Sequence, residues 1–181
     1  MIAILDYGLG NIKSIYNMLK KIGVVSKITS NVNEIKNAEK YILPGVGSFD
    51  HGITKLRSSP FFDILVEEIL IKKKHILGIC LGMQLLTNSS EEGSEKGLCW
   101  IDADTIKFKF NKNSQSIPQI GWNQISLKKN DPILKNLNEN KFYFLHSYHV
   151  VCNNNDNIIA TTNYFGNFIS CISHKNIHGV Q

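Results

Sequence analysis

Residues 75–86 read HILGICLGMQLL and place one cysteine, Cys80, between Gly78 and Gly82. A thiol held there can attack an acyl carbon. G-x-C-x-G between an apolar run and an amphipathic run has the shape of a nucleophile elbow. The central residue of such an elbow is strained, and side chains at the flanking positions would collide, so glycine is required on both sides. A helix that starts at the cysteine offers free N–H groups and a dipole that favour thiolate over thiol. The N–H of Leu81 can stabilise an oxyanion. The alternative is that Cys80 is a small buried hydrophobe, the usual fate of a cysteine.

A nucleophilic thiol needs a base that also protonates the leaving group. Six histidines are available. His75 opens the apolar run before Cys80 and belongs at its far end. His51 falls on a helix surface, and His149, His174 and His178 fall on late strands as surface or structural residues. His146 is the sixth.

The elements that must position Cys80 follow from periodicity. Residues 2–6 (IAILD) form a short apolar run read as a buried parallel strand. Residues 11–22 carry Ile12, Ile15, Met18, Leu19 and Ile22 at helical spacing, with Asn11 as the expected N-cap. Strands are expected at 24–29 (VVSKIT), 40–44 (KYILP) and 75–79. A helix is expected over 60–73, opened by Pro60 in its first turn. This β-α alternation predicts an α/β fold with a central, mostly parallel sheet and helices on both faces. After about residue 98, short alternating stretches separated by Asn-rich turns predict an antiparallel extension. Ligands in such sheets bind beyond the carboxyl ends of the strands. The turns Gly8-Leu9-Gly10-Asn11 and Gly45-Val46-Gly47-Ser48 fall there, beside the Cys80 turn. The first lacks the third glycine of a dinucleotide fingerprint, because Lys13 stands in its place, so it reads as a tight strand-to-helix turn.

Composition narrows the class. The 181 residues suit one domain with a full core, and the net charge of +5 comes from scattered lysines without aromatic interleaving, which argues against nucleic acid. The densest run, Lys72-Lys73-Lys74, reads as a solvated helix C-terminus. The four cysteines form no CxxC pair, so no metal is expected. The N-terminus lacks the pattern of a signal peptide and no apolar run approaches membrane-spanning length, so the expected compartment is the cytoplasm.

HILGICLGMQLL resembles the nucleophile motif of the class I (triad) glutamine amidotransferases, and YILPGVGSFD (41–50) resembles their oxyanion strand. DYGLGNIKSI, PQIGWN (118–123) and FYFLHSY (142–148) are similar to the glutaminase subunits of imidazole glycerol phosphate synthases. Met83, where related amidotransferases have histidine, narrows the subfamily. The resemblance implies a flavodoxin-like amidotransferase domain over residues 1–181. It implies L-glutamine as substrate, a γ-glutamyl thioester on Cys80, and no cofactor. It implies an oxyanion hole from Leu81 and the Val46–Gly47 turn, and substrate contacts from Gln84, Ser147 and Tyr148. The second oxyanion donor needs a peptide rearrangement that the GVG turn permits. Asn11 and Trp122 match the face that docks a (β/α)8-barrel synthase (HisF-type) in a heterodimer. That partner receives the ammonia and makes imidazole glycerol phosphate and an aminoimidazole carboxamide ribotide. Read without the resemblance, Asn11 is an N-cap and Trp122 is core packing.

The resemblance also implies that His146 positions substrate, because the family's base lies in a GVQFHPE motif. This chain reads Gly179-Val180-Gln181. The domain is therefore expected to lack its C-terminal end, with the base histidine and its orienting glutamate beyond Gln181. A polypeptide of these residues is expected to turn over glutamine poorly. Other readings are a paralogous glutaminase that feeds amination of surface-polysaccharide sugars, suggested by GLCWIDADTIKF (97–108), a catalytically dead docking subunit, and a plain flavodoxin-like binding module.

Overall fold

The computed structural model describes residues 1–109 and 116–181. Four short strands, β1 (Ile2–Leu5), β2 (Ser26–Thr29), β3 (Lys40–Gly45) and β4 (His75–Cys80), pair in parallel in the order β2-β1-β3-β4. Helices α1 (Ile12–Lys21), α2 (Val32–Asn37), α3 (Phe49–Arg57), α4 (Phe62–Val66) and α5 (Leu81–Leu85) provide the crossovers and the covering layers. Alternation along the strands divides the helices between the faces. Ala3, Leu5, Tyr41, Leu43 and Ile76 join Ile35, Phe49, Ile53, Leu56, Leu65 and Leu85 of α2–α5 in one core cluster. Ile2, Ile42 and Leu77 point the other way and line a cleft with Leu19 of α1.

The antiparallel part holds β6 (Ala103–Lys107), β7 (Gln119–Leu127), β8 (Lys141–His146), β9 (Tyr148–Cys152), β10 (Ile158–Asn163), β11 (Asn167–His174) and β12 (Ile177–Val180), with a two-residue β5 at Ser89–Ser90. The main order continues β4-β12-β11-β10-β7-β8. β12 runs parallel to β4 and antiparallel to β11, so it is the seam between the two parts. A second, smaller core of Phe108, Ile125, Phe144, Ile159, Phe168 and Cys171 fills the antiparallel part.

Three local expectations need correction. Asn11 precedes α1, but its side chain makes no capping hydrogen bond. The helix expected over 60–73 is a single α-turn, α4, running into a π-turn at Glu67–Ile71, and Pro60 lies in the turn ahead of it. The lysine run is only in part a solvated terminus: Lys72 and Lys73 are exposed at the helix end, but the run also closes over a buried acid. Glu68 is wholly buried, and its carboxylate is held by Lys72 (2.6 Å) and Lys74. The wide bond from Lys72 N–H to the Glu67 carbonyl (3.0 Å) and a left-handed Lys73 (φ 58°) bring both ammonium groups onto that carboxylate. Lys74 also donates to the carbonyls of Lys36 and Ala38 at the end of α2. A buried carboxylate is tolerated because it is paired in this way.

Candidate active site

β4 ends in Cys80, whose backbone is left-handed at φ 54°, and α5 begins at the next residue. Only crowding from both sides holds an L-residue there. A Cβ on Gly78 would stand 2.5 Å from the Gly82 carbonyl oxygen, and one on Gly82 would stand 1.9 Å from that of Leu43. Both glycines are therefore obligatory, as the elbow motif requires, and the turn presses directly against β3.

The β3–β4 register sets Gly45 opposite Cys80, so the next residues, Val46 and Gly47, leave the strand end beside the thiol. Gly47 is left-handed (φ 99°), with open space where a Cβ would be. Val46, Gly47, Cys80, Leu81, Gln84, Ser147 and Tyr148 all line one cleft of about 500 Å³. Seven of the nine residues singled out from the sequence thus converge. Asn11 and Trp122 lie outside the cleft lining.

The electrostatics of Cys80 differ from expectation. Burial pushes the thiol above its ordinary pKa, and hydrogen bonds from the Leu81 N–H and the Gln181 side chain (3.6 Å) oppose that push only in part. α5 has five residues, too short for its dipole to offset desolvation. The resting group is a thiol that needs a proton acceptor.

No histidine among the described residues contacts Cys80. His146 lines the cleft, but its Nδ1 is 2.8 Å from the Tyr148 carbonyl oxygen. Its ring sits among Phe108, Phe144 and Phe168. Desolvation there lowers its pKa to about 4. It is a neutral wall of the cleft, not a base for Cys80. His75 and His178 meet at the opposite end of β4 and β12, with ring nitrogens 3.4 Å apart.

Gln84 is buried at the floor of the cleft. Its amide donates to the Tyr148 carbonyl (3.3 Å) and to Gln181 Oε1 (3.0 Å), tying α5 to the β8–β9 junction and to the residue after β12. Among the lining residues that escaped the sequence reading, Ile79, Tyr143, Leu145, Gln181 and Glu92, the charged one is Glu92. Glu92 lies on the cleft wall, and its Oε2 accepts the N–H of Phe49 (2.8 Å), capping α3 from across the chain. Its only trace in the sequence is the acidic pair Glu91-Glu92 shortly after the elbow helix.

Trp122 is not core packing. It is 64% exposed and stands edge-on to Tyr143, with ring centroids 5.7 Å apart.

The profile of the class-I glutamine amidotransferases matches residues 3–181, and the chain belongs to that family. Solved structures share its architecture at low identity. One titled "Structure of PurLQS from Thermotoga maritima" superposes with a TM-score of 0.69 at 17% identity, over 99% of this chain and 85% of that one. Another, titled "Crystal structure of glutamine amidotransferase", gives 0.68 at 12% identity, over 99% and 87%.

Sequence relatives go further. An imidazole glycerol phosphate synthase subunit HisH 2 of Methanococcus maripaludis is 51% identical over all of this chain and 90% of its own length. A subunit HisH of Leptospira borgpetersenii is 47% identical and a HisH 2 of Pseudomonas aeruginosa 44%, with the same coverage. Within the family the chain falls among these HisH-type glutaminase subunits.

Proposed function

We propose that the chain is the glutaminase subunit of a histidine-biosynthetic imidazole glycerol phosphate synthase, acting in the cytoplasm. It hydrolyses L-glutamine to glutamate and ammonia and passes the ammonia to a (β/α)8-barrel synthase. The observation that carries this reading is the left-handed Cys80 between two obligatory glycines, with the Leu81 N–H beside its sulfur and the Val46–Gly47 turn alongside.

In this reading Cys80 Sγ attacks the carboxamide carbon of glutamine. The oxygen takes up negative charge against the N–H of Leu81 and a backbone N–H of the Val46–Gly47 turn. Collapse expels ammonia and leaves a γ-glutamyl thioester, which water then hydrolyses. Ser147 and Tyr148 hold the α-amino and α-carboxylate groups of the substrate. The Glu92 carboxylate, on the same wall, suits its ammonium. Gln84 holds the substrate glutamine, and its bonds to Tyr148 and Gln181 set where it does so.

Burial raises the thiol pKa, so attack needs a base, and in this reading no described histidine takes that role.

The partner surface follows from the β7–β8 hairpin. Its inner face carries Ile125, Phe144 and His146. Its outer face carries Ile120 opposite Leu145 and Trp122 opposite Tyr143, all more than half exposed. A contiguous apolar outer face on an antiparallel pair is the mark of a docking surface. Tyr143 and Leu145 also line the cleft, so a barrel seated there would cover its mouth and receive the ammonia. Asn11 is exposed in the β1–α1 turn, and this reading assigns it to the partner face as well.

The test is glutamine-dependent ammonia release by the complete gene product with its barrel partner, beside a Cys80→Ser variant. Loss of about ten-thousandfold or more in the variant is expected. Undiminished release in the variant, or none from the unaltered complex, would sink the reading.

A further inference from the structure

The β1–α1 turn, which reads in sequence only as a tight glycine turn, grips one residue of the oxyanion strand. Tyr7 is buried, and its hydroxyl donates to the Pro44 carbonyl at 2.5 Å. Gly10, left-handed at φ 107°, lies so close to Pro44 that a Cβ there would stand 2.9 Å from the proline Cβ. Pro44 directly precedes the Gly45-Val46-Gly47 turn.

The topology explains why Pro44 needs an outside partner. β1 pairs with β3 only as far as Ile42, while β4 continues alongside β3 to Gly45. Past Ile42, β3 has lost its neighbour on the β1 side. The Pro44 carbonyl is left in a buried setting where an unpaired acceptor is costly. The Tyr7 hydroxyl stands in for the missing strand. Burial and the nearby Cys80 both hold the phenol far above its ordinary pKa, so it remains a neutral donor.

We propose that Tyr7 is a positioning residue for the oxyanion hole: by holding the Pro44 carbonyl it fixes the peptide from which the Gly45-Val46-Gly47 turn pivots, and so sets where that turn's N–H meets the reacting oxygen. This rests on the glutaminase reading above and deepens it. No described hydrogen bond links Tyr7 to the thiol. Tyr7 acts through the backbone that leads from Pro44 into the turn. An oxyanion donor works only at hydrogen-bond distance from the charge that develops, so a loosened pivot weakens the transition state and leaves ground-state binding alone.

Tyr7→Phe removes the donor and keeps the ring. The complete gene product, in complex with its barrel partner, is assayed for glutamine hydrolysis and for alkylation of Cys80 by iodoacetamide, a displacement that needs no oxyanion hole. The expected result is a fall in kcat of about tenfold or more, with KM within about twofold and alkylation unchanged. Amide exchange at Val46 and Gly47 should quicken in the variant while the β1–β2 amides keep their protection. Unchanged kcat and exchange overturn the proposal. So does a parallel fall in kcat and alkylation, which would make Tyr7 a support of the cysteine. If the unaltered complex alkylates but releases no ammonia from glutamine, the glutaminase reading itself fails and takes this inference with it.

Discussion

The parallel and antiparallel parts of the sheet meet the cleft in different ways. The parallel part, β1–β4 with its helices, packs α2–α5 tightly on one face and leaves a cleft beside α1 on the other, and it contributes backbone geometry: a strained Cys80, a left-handed Gly47, and the N–H groups of the turn after β3. The antiparallel part is covered on one face and contributes side chains, with Tyr143, Leu145, Ser147 and Tyr148 standing on the cleft wall. Reaction geometry is thus entrusted to the region where neighbours fix the main chain most tightly. Recognition is left to the region with a face to spare.

That contrast can be broken at several points. Gly82→Ala should have the largest effect. Its Cβ would meet the Leu43 carbonyl oxygen at 1.9 Å, and backbone on both sides leaves nothing to yield. A loss of at least about 3 kcal/mol is expected in denaturant melts. A soluble, stable Gly82→Ala protein would show that the parallel part is less tightly fixed than its contacts suggest.

Acid should weaken the antiparallel part first. The pKa of His146 falls from 6.5 to about 4 on burial, so the folded chain binds fewer protons than the unfolded one between those values. Its contribution is fully present above pH 6.5 and is lost as pH falls toward 4, up to about 3 kcal/mol. Burial also lowers the pKa of His149 and His178, which adds to the same trend. In the parallel part, burial pushes the Glu68 carboxyl up, but pairing with Lys72 and Lys74 outweighs it and holds the pKa below its ordinary value, so its contribution is lost only under stronger acid. Melting at stepped pH should show a His146→Asn variant with a flatter loss below pH 6.5. An unchanged profile would remove His146 from the explanation.

The smallest effect expected on the fold is at the outer hairpin face. Trp122→Ala should leave the melting of the isolated chain within about 0.5 kcal/mol. Its affinity for the barrel partner should weaken by about 2 kcal/mol, roughly thirtyfold, in titration calorimetry. A destabilised chain with intact partner binding would reverse the assignment of that face.

Much of this was legible in the residues. The elbow could be read because its strain demands glycine at fixed positions, and the parallel part because apolar runs alternate with helical spacing. What escaped depends on residues far apart in sequence. The π-turn goes with Glu68 gathering Lys72 and Lys74 onto its buried carboxylate, where propensity alone suggested a plain helix. Glu92 reaches the cleft while capping a helix that begins 43 residues earlier. The G-x-C-x-G spacing encodes the Leu81 N–H that favours thiolate at Cys80 but not the burial that outweighs it. Trp122 could be read either way until the hairpin showed which face its neighbours had already filled.

The seam strand carries a consequence for how the protein is made. Among the described residues the main-chain ladders of the two parts join only through β12, which lies between β4 and β11 and follows both in the chain. On the ribosome, β1–β4 and β6–β11 emerge first, each with an open sheet edge. Neither edge is covered until Ile177–Val180 arrives to pair with both. A nascent chain stalled before that point would expose two unpaired edges to its neighbours. The pairing of β12 with both edges is therefore the step that closes the window for aggregation.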